Sequence, residues 1–327
     1  MKQLKIILVL IILFPFQVFS QNQSGTEIDF LSIGAGARPL GMGGTFIGIA
    51  DDVNATYWNI GGLSEIKRNE ITGMHTELFL GTTYDYVGLG IPIKIKNRDF
   101  GTIGASWLNL SVPDIPKVVP IIDPKTGKPK IDENGKVQVK YEGTYNAYQN
   151  GYIIGYSKKI LKINFGGTVK IITYNIGEKK GEGISFDVGT VWTFPKWFRF
   201  GLVVKDINFP EIKWRTGEKE KIPANIGMGL SYRILNDKLI IGYDITQQIK
   251  TEGPWHKPES HIGAEILLAG LVALRIGIDD IIINGTETTG NVTGGIGFKS
   301  EYIKADYAYV SSKELQTTHR LGLSILF

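Results

Sequence analysis

From Asn69 to the C-terminus, apolar and polar residues alternate with a period of two, and this pattern constrains the fold more than anything else in the chain. Between Lys162 and Asn175, Ile163, Phe165, Val169 and Ile171 fall on one face, with Asn164, Gly166, Thr168 and Lys170 on the other. Ile184–Phe194, Lys238–Thr246, His261–Leu268 and Val272–Asp279 read the same way. Strict alternation puts one face of a strand in an apolar medium and the other in a polar one.

About fourteen such strands can be marked, beginning near Asn69, Thr82, Asp99, Thr144, Lys162, Glu182, Trp197, Ile222, Lys238, Pro258, Leu271, Asn291, Ile303 and Thr318. Their connections sort by parity. The even ones are very short: Asn97-Arg98, Leu161, Pro195-Lys196, Asn236-Asp237, Ala269-Gly270 and Ser300-Glu301. The odd ones are mostly long, and include 113–143, 177–181, 207–221, 249–257 and 283–290. Short turns on one rim and long loops on the other is the layout of a transmembrane outer-membrane β-barrel, whereas a soluble sandwich has no reason to sort its loops.

Charge placement agrees. Lys170, Asp187, Asp244, Glu265, Arg275, Asp279, Lys304 and Asp306 all fall on the polar face, so in a barrel they are candidate lumen-facing charges. On the lipid face each would cost a few kcal/mol at mid-membrane. Phe194, Trp197 and Phe198 flank the Pro195-Lys196 turn, where an interfacial aromatic girdle belongs. The last strand alternates and ends on Phe327, like the C-terminal signal of outer-membrane barrels.

The N-terminus fits export. Lys2 and Lys5 precede an apolar run from Ile6 to Phe14, and Val18 and Ser20 suit cleavage before Gln21. That run is much shorter than the roughly 20 residues of a membrane helix. The chain has no cysteine, so disulfides and thiolate metal sites are excluded. The net charge of +4 includes the two leader lysines and implies no nucleic-acid partner.

One stretch does not alternate. Gly34–Leu63 is dense in glycine, carries Asp51-Asp52 and ends in Tyr57-Trp58-Asn59. It fails the dinucleotide fingerprint, because Phe46 stands where the third glycine should be and no βαβ unit surrounds it. No GK[ST] phosphate loop or nucleophile elbow occurs, and His256, His261 and Glu259, the one candidate metal cluster, read better as solvated loop residues. No cofactor and no enzymatic activity are expected. Inside a barrel the glycines make sense as a compact backbone threading a crowded lumen. Arg38, Asp51, Asp52, Trp58 and Asn59 are its candidate anchors, with an aspartate also able to cap a short helix after Val53.

The runs Asp29-Phe30-Leu31, Ala37-Arg38-Pro39-Leu40-Gly41-Met42-Gly43-Gly44, Ala50-Asp51-Asp52 and Tyr57-Trp58-Asn59 resemble the PorV/PorQ family, itself similar to FadL-type transport barrels. Ile222–Gly229 and the C-terminal strand agree with that family. The resemblance implies a fourteen-stranded barrel with an N-terminal plug, in the outer membrane of a Gram-negative bacterium of Bacteroidota type. One departure stands out, since Asn59-Ile60-Gly61 replaces the usual Asn-Pro-Ala.

The expected organisation is a signal peptide at 1–20, a plug or hatch at 21–68 and an all-β antiparallel barrel at 69–327. The resemblance makes a part in type IX-like protein secretion the leading function, with secretion-system proteins or secreted cargo as partners. The alternative is a FadL-like transporter of hydrophobic small molecules. A secreted soluble β-protein is the third reading.

Overall fold

The computed structural model describes residues 30–96, 98–249, 258–284, 287–311 and 317–327, but not the side chains of 282–289. The expected signal peptide, the lead-in to Asp29 and His256 lie outside the described residues. The strands are β1 (Glu70–Glu77), β2 (Thr83–Ile95), β3 (Arg98–Pro120), β4 (Val139–Ile160), β5 (Ile163–Ile176), β6 (Lys179–Thr193), β7 (Phe198–Lys205) and β8 (Glu211–Trp214). They continue as β9 (Lys219–Lys221), β10 (Ala224–Ile234), β11 (Leu239–Ile249), β12 (Glu259–Leu268), β13 (Val272–Asn284), β14 (Glu287–Lys299), β15 (Ile303–Val310) and β16 (Thr318–Leu326).

β8 and β9 form a small hairpin inside the β7–β10 connection. The other fourteen strands pair antiparallel, each with its neighbours in the wall, and β1 with β16 joins the last strand to the first, so the sheet closes without an edge. Closure matters physically, since lipid offers no partner to an unpaired strand edge. The sequence pattern dictates which side faces out. On β5, Phe165, Val169 and Ile171 are exposed while Asn164, Thr168 and Lys170 are buried in the lumen. The same division separates Ile241 and Tyr243 from Asp244, and Leu274 and Ile276 from Arg275. At the short-turn rim Trp192 stacks on Phe200 and Trp197 on Tyr232, a girdle of rings at the height of an interface.

Loop parity is less complete than the sequence suggests. The connections at 177–181 and 283–290 are mostly strand, because β5, β6, β13 and β14 run on past the expected loop starts. The same extension turns the two ends of 113–143, residues 113–120 and 139–143, into strand. Beyond Ser111, β3 has outgrown β2, and below Ala147 β4 precedes its pairing with β5. The two strands therefore rise alone as a ribbon, continued by the bridges Ile122–Pro129 and Ile131–Val137.

Residues 30–66 lie inside the barrel as an inner segment of short helical turns, Ala37–Leu40, Ala55–Trp58 and Ile60–Glu65. Its backbone sits directly on the wall, and two glycines show why. A Cβ on Gly48 would lie 2.8 Å from the backbone of Gly229, and one on Gly277 would overlap that of Met42. Only glycine on the inward face lets two backbones approach this closely.

Candidate functional site

The lumen has two tiers of different chemistry. In the half towards the short turns, ion pairs tie the inner segment to the wall. Arg38 donates to Asp51 at 2.6 Å, to Asp52 at 2.7 Å and to Glu265 of β12 at 2.9 Å. Arg233 of β10 takes the other oxygen of Asp51 at 2.8 Å. Glu265 also receives Arg275 of β13 at 2.6 Å, and Arg275 continues to Asp306 of β15 at 2.7 Å. One connected web thus crosses from β10 to β15 through the inner segment. Burial alone would raise the Asp51 carboxyl, but Arg38 and Arg233 outweigh it and hold Asp51 well below the usual carboxylate range. Two further contacts fix the backbone. Asp244 of β11 accepts N–H bonds from Phe46 and Ile47, both at 2.6 Å, and Asn59 donates to the Thr190 carbonyl of β6 at 3.1 Å.

Trp58 meets the wall through Lys205 of β7, whose ammonium lies 5.6 Å from its ring centroid. It also donates its indole N–H to the Ala35 carbonyl at 2.7 Å, closing the inner segment on itself. Asp52 does not cap the helical turn at Ala55. The residue before that turn is Asn54, which donates its backbone and side-chain N–H groups to the Asp52 carboxylate. His261 is not a solvated loop residue. It is an inward group on β12, paired to Asp279 of β13 at 2.7 Å. Among the described residues no group of three possible ligands is placed to hold a metal. At the Ile60-Gly61 departure, Ile60 is buried, and a Cβ on Gly61 would meet Thr190 at 2.7 Å. Backbone proximity rather than a proline ring sets that turn.

Towards the long loops the inward face becomes apolar. Leu108, Leu110, Ile153 and Ile172 point inward there, joined by Met74, Tyr84, Val310 and, from the inner segment, Phe30 and Tyr57. The β8–β9 hairpin folds over this cluster. Ile212 is buried in it, Trp214 packs on Tyr174, and a Cβ on inward-facing Gly181 or Gly183 would strike Ile212. The sequence carries the signal for this tier, because the polar face of β5 ends in Ile172 and Tyr174. Arg233, Asp206 and Phe30 were not among the residues expected to carry the site.

Beside the apolar tier the wall has a seam. β6 pairs with β7 only from Val188 to Thr193, and with β8 only at Gly181 and Glu182. Between these stretches 206–208 takes the place of a strand. Asn208 bonds the amide of Phe186 and the carbonyl of Ile184, and the Ile207 amide bonds the Phe186 carbonyl. Lys170 staples the seam from inside, 2.8 Å from Asp187 and 2.6 Å from Asp206.

No family model matches the chain, and no curated protein matches it. Solved structures do. The toluene transporter TbuX of Ralstonia pickettii aligns with a TM-score of 0.58 at 11% identity, over 90% of this chain and 98% of that one. For the toluene transporter TodX of Pseudomonas putida the TM-score is 0.54 at 13% identity, over 89% and 97%. A FadL homologue of Pseudomonas aeruginosa gives 0.53 at 12%, over 88% and 97%. The chain therefore has the fold of the FadL-type outer-membrane barrels.

Proposed function

We propose that this chain is a non-enzymatic outer-membrane channel for hydrophobic small molecules. In this reading the solute enters the apolar tier from the long-loop side and leaves sideways through the β6–β7 seam, while the ion-paired inner segment closes the path straight through. The observation that carries the reading is the apolar tier itself. A barrel that served only as a hydrated pore would keep its inward face polar along its length. Ligand sites are mostly apolar concavities with a few placed polar groups, and this tier with its hairpin roof has that composition. The seam supplies an exit that avoids the ion web, and it is closed by side-chain bonds and the single Ile207–Phe186 backbone bond in place of a continuous ladder. The fold shared with two toluene transporters supports the same reading.

The test is uptake of the fluorescent probe N-phenyl-1-naphthylamine by Gram-negative cells with an intact outer membrane. Cells expressing the protein should take up the probe faster than vector controls. Ser185 and Asn208 have side chains 3.4 Å apart across the seam. Oxidising the pair Ser185→Cys and Asn208→Cys should abolish the gain, and a reductant should restore it. Uptake no faster than the vector control, or indifferent to the cross-link, refutes the proposal.

A second reading, a PorV/PorQ-type role in protein secretion in a Bacteroidota-type outer membrane, draws on the β3–β4 ribbon. Val118, Ile131, Val139 and Tyr141 are exposed on it, above the barrel and far from the lumen. Exposed apolar groups on a projecting ribbon suit a protein partner. A stoichiometric protein that copurifies with the intact chain, but not with one shortened between Pro120 and Val139, would favour it.

A further inference from the structure

The two rims of the barrel carry different charge. Five of the six short turns, at 94–99, 158–162, 194–198, 235–238 and 299–302, hold nine lysines and arginines against three carboxylates. The connections of the opposite rim are close to balanced, with six cations against five carboxylates in 113–143 and five against four in 205–221. On the short-turn rim Lys96, Arg98, Lys162, Lys196, Lys238 and Lys299 are exposed. Among the described residues the one ion pair that these turns make is Lys159 with Glu65, at 3.0 Å. Each of the five turns also exposes a large apolar or aromatic side chain: Ile95, Leu161, Phe194, Leu235 and Tyr302. Two of the rings sit beside a cation, Phe194 with the Lys162 ammonium 4.6 Å from its centroid and Tyr302 with the Arg68 guanidinium at 5.6 Å.

Apolar side chains beside cations at one height fit the border of a bilayer, where the apolar group meets acyl chains and the cation reaches the phosphates. The short turns of an outer-membrane barrel lie on the inner-leaflet side. Because the charged turns stand round the wall from β2 to β15, their partner has to surround the barrel. A soluble protein would meet one arc of that ring, whereas lipid head groups meet all of it. We propose that the short-turn rim is a docking surface for the anionic phospholipid head groups of the inner leaflet, taking phosphatidylglycerol over phosphatidylcholine. The choline head brings its own cation and leaves the rim no net charge to pair with, while the glycerol head leaves the phosphodiester charge free. The inference concerns the outside of the barrel, and it stands or falls separately from the uptake reading.

The experiment uses the full chain in dioleoylphosphatidylcholine vesicles, with a trace of phosphatidylglycerol or phosphatidylcholine spin-labelled near the end of one acyl chain. Electron spin resonance separates lipid held at the barrel from free lipid and gives the relative association of the two head groups. One lysine or arginine on one anionic head group makes roughly a fivefold difference, which becomes about threefold when averaged over both rims. The wild type should show that preference for phosphatidylglycerol at low salt and lose most of it in 1 M NaCl. Changing Lys96, Arg98, Lys162, Lys196, Lys238 and Lys299 together to Gln should abolish it. Lys117→Gln, Lys140→Gln and Lys219→Gln on the long-loop side should leave it intact. Heat-dependent gel mobility reports whether each variant is a folded barrel. Where the six changes prevent folding, the pair Lys162→Gln and Lys196→Gln takes their place and should lower the preference in part. Equal association of the two lipids with the wild type overturns the proposal. A preference that persists undiminished in the folded short-turn variant, or that the long-loop variant loses instead, overturns the assignment to this rim.

Discussion

Arg38→Met tests whether the ion web holds the inner segment in place. Methionine keeps the length and apolar stem of the side chain while removing its charge and its hydrogen bonds. Four charge-assisted bonds at 2.6–3.0 Å disappear, two to Glu265 and one each to Asp51 and Asp52. Removing one partner from a buried ion pair costs about 3–5 kcal/mol. The lower end applies, because Glu265 retains Arg275, Asp51 retains Arg233 and Asp52 retains Asn54. About 3 kcal/mol corresponds to a roughly 10²-fold rise in the population of the displaced segment. In planar bilayers a wild-type barrel should stay closed, and Arg38→Met should show openings more frequent by about that factor. The pH dependence should change as well. Asp51 is depressed in the folded state, so its contribution is present above its unfolded pKa of about 3.9 and is lost as pH falls through the folded value. The wild-type barrel should therefore stay closed at pH 5 and open only in stronger acid. Arg38→Met removes the largest of the three lowering charges, leaving Arg233 and Arg199, so opening should begin at a higher pH. A variant as quiet as the wild type at pH 7 and at pH 4.5 would show that backbone packing, not the web, seats the segment.

Two further outcomes follow from the packing. Gly48→Ala should unseat the segment and raise open-channel conductance, since the new Cβ would lie 2.8 Å from the Gly229 backbone, which cannot yield; Gly73→Ala, with nothing nearer than 3.9 Å, should be silent in the same bilayer assay. Lys170→Met leaves Asp187 and Asp206 buried without their cation, so amide exchange between Gly183 and Asp187 should quicken by roughly 10²-fold while Val188–Thr193 keeps its protection, and unchanged exchange would remove Lys170 as the staple.

How much of this was legible in the sequence depends on the range of each interaction. Facing was legible because it is local: once Phe165 and Val169 point to lipid, Thr168 and Lys170 must point inward. Strand ends were less so. β3 and β4 continue to Pro120 and Val139 by pairing with each other, and β13 and β14 run nearly to their turn, although neither continuation needs an apolar face. The alternation that marks a strand in lipid fades where the strand leaves it. The partners of the charges were hidden for another reason. Arg38 lies 227 positions from Glu265, and the closed register alone brings them together. Arg233 and Asp206 were passed over because each sits where alternation gives way, at a strand end or just beyond it.

The two tiers also explain why the inner segment is so rich in glycine while the roof is not. Ion pairs and amide bonds need their donors within about 3 Å of the wall, and only a backbone without side chains on its contact face comes that close. The inner segment therefore meets wall glycines such as Gly229, Gly263 and Gly277 with its own backbone. An apolar roof has no such requirement. Ile212 and Trp214 fill space with side chains, and β8 pairs with the wall only at Gly181 and Glu182, with the Arg215 amide on the Lys180 carbonyl beside them. On these grounds the hairpin and the seam beside it should exchange their contacts more readily than the ion-paired segment below. Passage by the side then requires the roof and Lys170 to give way, while passage straight through requires the whole web from Arg233 to Asp306 to break.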